Sequence, residues 1–589
     1  MLTIFKHLRK IDWIFVAIGI LFVSLAVWLE LQIPGFMREI TVLVQTPGTQ
    51  VYEIWIQGFW MLGTAFVAMI ATVLVGYCAG RVAAGFGRDL RIKIFDKVIG
   101  FSQSEVNQFS VASLITRATN DVSTVEGIVT IAFITMVRAP IMAVWATTRI
   151  FGQGLEWAIA TMIAVGVLLI TILVLIIFAL PKFRIIPKLT DRLNLVAREH
   201  LSGIRVVKAY NAELYESEKF DKANQTFMKT NRFAERVMAI LWPVVGLIMQ
   251  SLPLAIYLIG AYLINNSIGD FDIVGAGDFF ASMIVFAQYA IQVVMAFLMM
   301  SFILVFLPQA IVASKRINEV LEKEDSLTYP QDISTSTGDE NIAVEFKEVN
   351  FKYPEAEDYV LEDISFKIHK GETVAFIGAT GSGKSTLLKL ISRMYDRTSG
   401  EIIIAGKDVK EYTKEELTQK IGYTLQKATL ISGSVSSNIA FGKEDYQIED
   451  IKEAASLAQA SEFISKMEKT YDSEITQGAT NVSGGQRQRL SIARTLFRKS
   501  DILIFDDSFS ALDYKTDRQL RKSLKKERED VTKLIVAQRV STIKDADKII
   551  VLDEGRVVGI GRHKELLENC NIYYEIASSQ LSKEELANG

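Results

Sequence analysis

Gly378-Ala379-Thr380-Gly381-Ser382-Gly383-Lys384-Ser385 decides how this chain is read. The stretch fits the pattern G-x-x-x-x-G-K-[ST]. An apolar run from Thr373 to Ile377 precedes it and reads as a strand; a helix-like stretch from Thr386 to Met394 follows. A strand, a glycine-rich turn and a helix in that order make a short pattern into a site prediction. The glycines let successive backbone N–H groups turn inward around phosphate oxygens, and the helix N-terminus adds its partial positive charge. Lys384 is expected to reach the β- and γ-phosphates of ATP, and Ser385 to ligate Mg2+. Gly378, Thr380, Gly381, Ser382, Gly383 and Thr386 complete the expected cradle. The plain alternative is a turn that binds nothing, but Lys-Ser-Thr at this place has no evident packing use.

Working outward, 589 residues exceed what one compact core holds. Half of them are hydrophobic and the mean hydropathy is positive, which points to a membrane protein. The distribution is uneven: long charge-free runs crowd the first half, and charged residues dominate the second. A formal net charge of −3 argues for no nucleic-acid partner. Cys78 and Cys570 are the only cysteines, which fits neither a disulfide framework nor a cysteine metal site. Lys6, Arg9 and Lys10 precede a run too long for the core of a cleavable signal.

Six apolar spans stand out: Trp13–Leu31, Ile54–Ala79, Gly127–Phe151, Trp157–Leu180, Val237–Ile264 and Phe279–Leu307. Each suffices for the roughly 20 residues that cross a bilayer. Several are longer, so their helices are expected to run on beyond it. The connections Gly80–Glu126 and Pro181–Arg236 are rich in Lys and Arg, whereas Gln32–Glu53, Gly152–Glu156 and Asn265–Asp278 carry only Arg38. The positive-inside rule then puts the long connections and both termini in the cytoplasm. Arg88–Phe95 and Val196–Phe220 keep helical spacing and read as cytoplasmic extensions. Short elements near Thr119–Val125 and Tyr210–Tyr215 are expected to touch the second domain. Arg138 interrupts the third span, either as a functional group inside the bilayer or as a side chain snorkelling to the inner boundary. Gln292, Met295, Phe297, Met299 and Met300, with Trp242 and Gln250, would suit an adaptable cavity for apolar ligands; lipid contact or helix packing is the competing role.

The second half has a different grammar. Residues 322–341 are polar and contain Pro330, a linker. Strand-like runs follow at Ala343–Phe346, Ile364–Ile368, Val374–Ile377 and Glu401–Ile404, and again at Ile502–Phe505, Lys533–Val536 and Lys548–Leu552. Helical stretches between them imply an α/β domain with a mostly parallel core sheet. Asp506 ends a buried strand and can hold Mg2+ through water. Tyr353 could stack on adenine or pack at a sheet edge. Gln426, after the strand-like Ile421–Leu425, could sense Mg2+ or the attacking water. Ser483-Gly484-Gly485-Gln486 opens a helix and forms a second phosphate-binding surface. One chain does not need two such surfaces for one ATP, so this one is expected to close over ATP held by another chain.

These residues resemble an ATP-binding-cassette transporter. Ser483-Gly484-Gly485-Gln486 is similar to that family's signature, and Ser510-Ala511-Leu512-Asp513 to its D-loop. Six spans ahead of one nucleotide domain resemble the exporter half-transporters, as do Thr119-Asn120-Asp121 and Gly203–Tyr210. The resemblance implies an all-α six-helix transmembrane domain with long cytoplasmic helical extensions, fused to an α/β P-loop nucleotide-binding domain. Its expected limits are 1–321 for the membrane domain, 322–341 for the linker, 342–580 for the nucleotide domain and 581–589 for a tail. It also implies two nucleotide domains sandwiching two ATP molecules, in a multi-pass protein of the cell membrane.

Two departures matter. After the Walker-B aspartate the family normally has Glu, which orients or deprotonates the attacking water; here Asp507 stands. Its carboxylate pulls back by roughly 1 Å, a misplacement that can cost about 10²-fold in rate. The family's switch histidine should fall in Val536–Thr542, where Gln538 occupies its place. Glutamine donates a hydrogen bond but cannot carry an imidazolium charge. Val482 stands where Leu usually begins the signature, a mild change. Both losses fall on one ATP site, while the signature serving the other is nearly intact. That asymmetry resembles the degenerate subunit of heterodimeric multidrug exporters, which move amphipathic compounds. The partner would then be a second half-transporter carrying the missing Glu and His. A homodimeric exporter of lipid or peptide, and a membrane regulator that uses ATP only as a clamp, are the alternatives. A soluble signature-bearing ATPase acting on DNA or ribosomes is excluded by the six spans.

Overall fold

Uninterrupted apolar sequence becomes uninterrupted helix. The computed structural model describes the chain except for residues 1–3, 47, 152–154, 267–272, 331–338, 340, 355, 583–585 and 587–589. Part of the expected linker and most of the expected C-terminal tail therefore lie outside the described residues. The chain divides into two units. One comprises Met1–Ile99 and Val111–Lys323; the other comprises Gly100–Ser110 and Glu324–Gly589.

Among the described residues of the first unit, six helices are long and apolar enough to cross a membrane. Val51–Gly100, Leu155–Ser202 and Ile273–Leu321 run for 50, 48 and 49 residues. At about 1.5 Å per residue each is more than twice the thickness of a bilayer's hydrocarbon, as the long spans implied. Trp55, Phe59, Trp60, Phe66 and Ile170 are exposed, as lipid-facing side chains are. The bundle buries Val27, Trp157, Leu168, Ile256, Phe286 and Val294 in one apolar cluster.

One expectation is corrected here. No separate short element lies near Thr119–Val125, because helix continues from Val111 to Phe151 through two wide π-helical turns, Arg117–Asp121 and Ala132–Val137. The separate short helix is Gln103–Phe109, and it groups with the second unit. Ser102 starts it by accepting from Ser104 N while Glu105 accepts from Ser102 N, and Ser110 at φ 59° ends it. Arg138 follows the second π-helical turn and pairs through Nη2 with both oxygens of Glu30, at 2.8 and 2.6 Å. Glu30 ends the helix Lys10–Glu30, about 30 Å of rise from its first residue.

The second unit has the α/β character expected, plus an antiparallel sheet that was not expected. The six-stranded sheet runs, in spatial order, Arg556–Gly561, Lys548–Asp553, Thr373–Ile377, Thr532–Val536, Ile502–Asp506 and Ile421–Thr424. All neighbours are parallel except the edge strand Arg556–Gly561. Every residue of Ile502–Asp506 is buried, and each of its four apolar side chains contributes roughly 1.5–3 kcal/mol by leaving water. The four-stranded sheet is built around Ile342–Phe351, paired antiparallel with Leu361–His369 and Ser399–Ile404. Its buried face, with Phe346, Phe351 and Phe366, shares one core with Leu387 and Ile391 of the helix that follows the glycine-rich turn. That shared core holds the turn against the ends of the parallel strands.

Candidate functional site

The parallel strands end at one edge, and the glycine-rich turn leaves from the strand Thr373–Ile377. Gly378 has φ 155°, and a Cβ there would lie 2.0 Å from Leu552 O, so only glycine lets the turn pass the neighbouring strand. Gly383 has φ 94° and caps the helix Lys384–Ile391. A Cβ on it would meet Leu361 Cδ2 at 2.5 Å. Lys384 is buried and donates through Nζ to Gly378 O, Ala379 O and Ser382 Oγ at 3.0, 2.7 and 3.2 Å. Its ammonium thus sits inside the turn that Thr380 and Gly381 complete. Burial pulls its pKa down, while Asp507 and Asp506 act to hold it up. A cation whose charge is disfavoured by burial gains from an added anion within reach.

Ser385 and Asp506 meet where the metal was expected. Ser385 Oγ donates to Asp506 Oδ1 at 2.7 Å, and Tyr423 OH donates to Asp506 Oδ2 at 3.0 Å. One hydroxyl and one carboxylate, with waters and substrate phosphates, is the donor set that Mg2+ uses, so these residues could hold it. Tyr423 was missed in the sequence. Burial, with Asp506 beside it, pushes its pKa far up, so its hydroxyl keeps its proton and donates at any working pH.

Asp507 lies next to this pair, buried, with its backbone in the left-handed region at φ 46°. Two amides aim at the same carboxylate oxygen. Gln538 Nε2 donates to Oδ2 at 2.8 Å and Gln426 Nε2 at 3.4 Å, the second a weak bond. Gln426, expected on the metal or the attacking water, therefore points at Asp507. Burial raises the Asp507 pKa, against the hydrogen bonds that favour its ionised form.

Tyr353 stands beside the turn with its ring half-buried. Its edge-to-face neighbours are Phe351 at 5.0 Å and Tyr395 at 5.1 Å between ring centroids. Its hydroxyl shares a 2.9 Å hydrogen bond with Thr386 Oγ1, which ties the ring to the phosphate-loop helix. Tyr395 accepts from Asn107 Nδ2 at 3.2 Å, a link from the short helix Gln103–Phe109 that only the fold reveals.

The glycine-rich signature lies elsewhere on the unit. Ser483 caps the helix Gly484–Phe497: its Oγ accepts from Gln486 N at 3.3 Å, and Gln486 Oε1 accepts from Ser483 N at 2.9 Å. Ser483 and Gly484 are exposed. A Cβ on Gly485 would lie 3.3 Å from Ala511 O, which sets the D-loop against the signature. Asp513 caps the next helix, accepting from Thr516 N at 3.0 Å and Thr516 Oγ1 at 2.8 Å, bonds that hold its carboxyl below the ordinary range. So the structure gathers Tyr353, the phosphate loop, Gln426, Asp506, Asp507 and Gln538 in one region. The signature is left as a separate, outward-facing surface.

Comparison with known proteins agrees with this division. The family model described as ABC transporter transmembrane region matches residues 16–289, and the one described as ABC transporter matches residues 361–510. An uncharacterized ABC transporter ATP-binding protein of Mycobacterium bovis is 37% identical over 88% of both chains. The uncharacterized ABC transporter ATP-binding protein YfiB of Bacillus subtilis is 36% identical over 90% of both. An ATP-dependent lipid A-core flippase of Saccharophagus degradans is 31% identical over 84% of this chain and 82% of that one. The solved structure of a bacterial Atm1-family ABC exporter with ATP bound has the same fold, with a TM-score of 0.79 over 97% of this chain and 99% of that one at 23% identity. The chain belongs to the ABC transporter family, with a multi-pass membrane unit joined to a second unit that is a transport ATPase.

Proposed function

We propose that this chain is one subunit of a heterodimeric exporter of amphipathic compounds in the cell membrane. Residues 1–321 form its transport domain and 342–580 its ATPase domain. Its own phosphate loop binds ATP with Mg2+ but hydrolyses it slowly. Its Ser483–Gln486 completes the competent site of a partner half-transporter that carries Glu and His where this chain has Asp507 and Gln538.

One observation carries the reading: both amides, Gln426 and Gln538, converge on Oδ2 of the shortened carboxylate Asp507. A general base must offer a free oxygen to the water that it deprotonates. Asp507 is set back by a methylene, and protein donors crowd one of its two carboxylate oxygens, Oδ2. Gln538 spends one of its two N–H donors on Asp507 and has no second charge state to offer a γ-phosphate. The binding half of the reading is supported by Lys384 inside the glycine-rich turn and by Ser385 bonded to Asp506.

A second reading is a homodimeric lipid exporter, and the relative named as a lipid A-core flippase favours it. Asp507→Asn in the assembled pair separates the two. The heterodimer keeps most of its ATPase activity, since the partner's base does the work. If turnover collapses as fully as it does when the partner's own base is removed, the proposal fails.

A further inference from the structure

The backbone that carries Gln538 leaves the sheet after Val536 and must find new partners for its polar groups. Two of them, Gln538 O and Val540 N, meet a single side chain. Gln580 Nε2 donates to Gln538 O at 2.9 Å, and Val540 N donates to Gln580 Oε1 at 2.8 Å. One primary amide thus straddles Arg539, as a neighbouring strand would. Val540 opens the short helical turn Val540–Ile543, and Arg539 before it offers no side-chain cap. Gln580 supplies the acceptor that this first N–H lacks. Only an uncharged amide meets both needs, because a carboxylate has no donor for the carbonyl.

Gln580 is itself well anchored. The helix Asn571–Ser578 ends just before it and buries Tyr573 and Ala577 completely. Tyr573 OH and His563 Nδ1 share a buried hydrogen bond of 2.6 Å. Leu581, the next residue, packs on the same apolar core as Tyr573, and Gln580 N donates to Ala577 O at 3.1 Å. A continuous path therefore runs from the C-terminal helix through Gln580 to the backbone of Gln538. It continues through Gln538 Nε2 to Asp507 Oδ2.

We infer that Gln580 is a positioning residue: its amide clamps residues 538–540, holds Gln538 on Asp507, and thereby sets how long ATP stays in this chain's site. The inference rests on the reading that this site binds ATP. It makes the C-terminal helix a determinant of nucleotide residence, although no part of that helix belongs to a nucleotide motif. With the clamp removed, the loop loses two backbone bonds, Gln538 swings off Asp507, and ATP leaves faster with its association rate unchanged.

The test uses the full-length protein in lipid nanodiscs, with two readouts: amide hydrogen exchange over residues 537–541 without nucleotide, and release of radiolabelled ATP. Gln580→Ala is expected to speed both by roughly 5-fold, the effect of losing about one net hydrogen bond. Gln580→Glu keeps the acceptor for Val540 N, so exchange at Val540 stays slow while ATP release still quickens. A merely structural role would not separate the two readouts. Native exchange in Gln580→Ala, or native ATP release in both variants, overturns the inference. Lys384→Ala reports separately on the nucleotide site: if it binds ATP as tightly as the parent, the site reading falls, and the nucleotide-free exchange comparison still decides the clamp.

Discussion

Gln538 donates through Nε2 to Oδ2 of Asp507 at 2.8 Å, joining the short carboxylate after Asp506 to the amide in the expected switch position. The pair has a definite chemical meaning: the group expected to activate water is bonded to the group expected to sense phosphate. Replacing both, Asp507→Glu with Gln538→His, lengthens the base and restores an imidazole. In the assembled pair with the partner's base removed, ATPase activity is expected to rise by roughly 10²-fold, the scale of a 1 Å correction in geometry. No rise in steady-state phosphate release would mean that the site is blocked for another reason.

The same carboxylate governs a pH effect. Burial raises the Asp507 pKa above its unfolded value. A raised pKa means a stability contribution fully present below the unfolded value and lost as pH rises through the folded one. At pH 7 the ionised group therefore costs stability. Asp507→Asn carries no charge, and asparagine also tolerates φ 46°. The variant is expected to melt higher than the parent at pH 7, with the gain vanishing below the ordinary aspartate range of about 4. Thermal melts at the two pH values check the sign; a destabilised variant at pH 7 contradicts it.

The proposed nucleotide site takes Tyr353 as the side chain that stacks on the base, and its hydroxyl bond to Thr386 fixes the ring. Base–aromatic stacking is worth about 1–3 kcal/mol. Tyr353→Ala should weaken ATP binding accordingly, and Tyr353→Phe should weaken it only slightly. Equilibrium binding of ATP and of tripolyphosphate distinguishes the cause, since tripolyphosphate has no base and should bind both variants like the parent.

In the membrane bundle, Arg138 and Glu30 are each about a quarter exposed at the side chain. Removing one partner leaves a charge among apolar helices. Arg138→Leu should destabilise the protein by about 1–3 kcal/mol, less than a fully buried pair would lose. Adding Glu30→Gln should recover much of that. Thermal melts of the single and double variants in detergent read the coupling; additive losses would mean that the pair does not interact.

Much of this architecture was legible because its signals are local. An 18-residue apolar window needs no partner to be recognised, and the phosphate loop carries its own glycines and lysine. The missed features depend on residues far apart in sequence. Tyr423 meets Asp506 across 83 residues, and Arg138 meets Glu30 across 108. Gln580 serves a loop some 40 residues before it. The short helix Gln103–Phe109 is different: Ser102 and Glu105 form a readable capping box, overlooked because the basic stretch around it also has helical spacing. The four-stranded antiparallel sheet went unseen because its strands give a pairing order only once folded.

The most direct test is reconstitution of this chain alone into lipid vesicles, with ATP binding and hydrolysis measured on the same preparation. The account predicts saturable ATP binding that Lys384→Ala abolishes, with hydrolysis slow until a second half-transporter is supplied. Brisk ATP hydrolysis coupled to movement of an amphipathic cargo by this chain alone would contradict it.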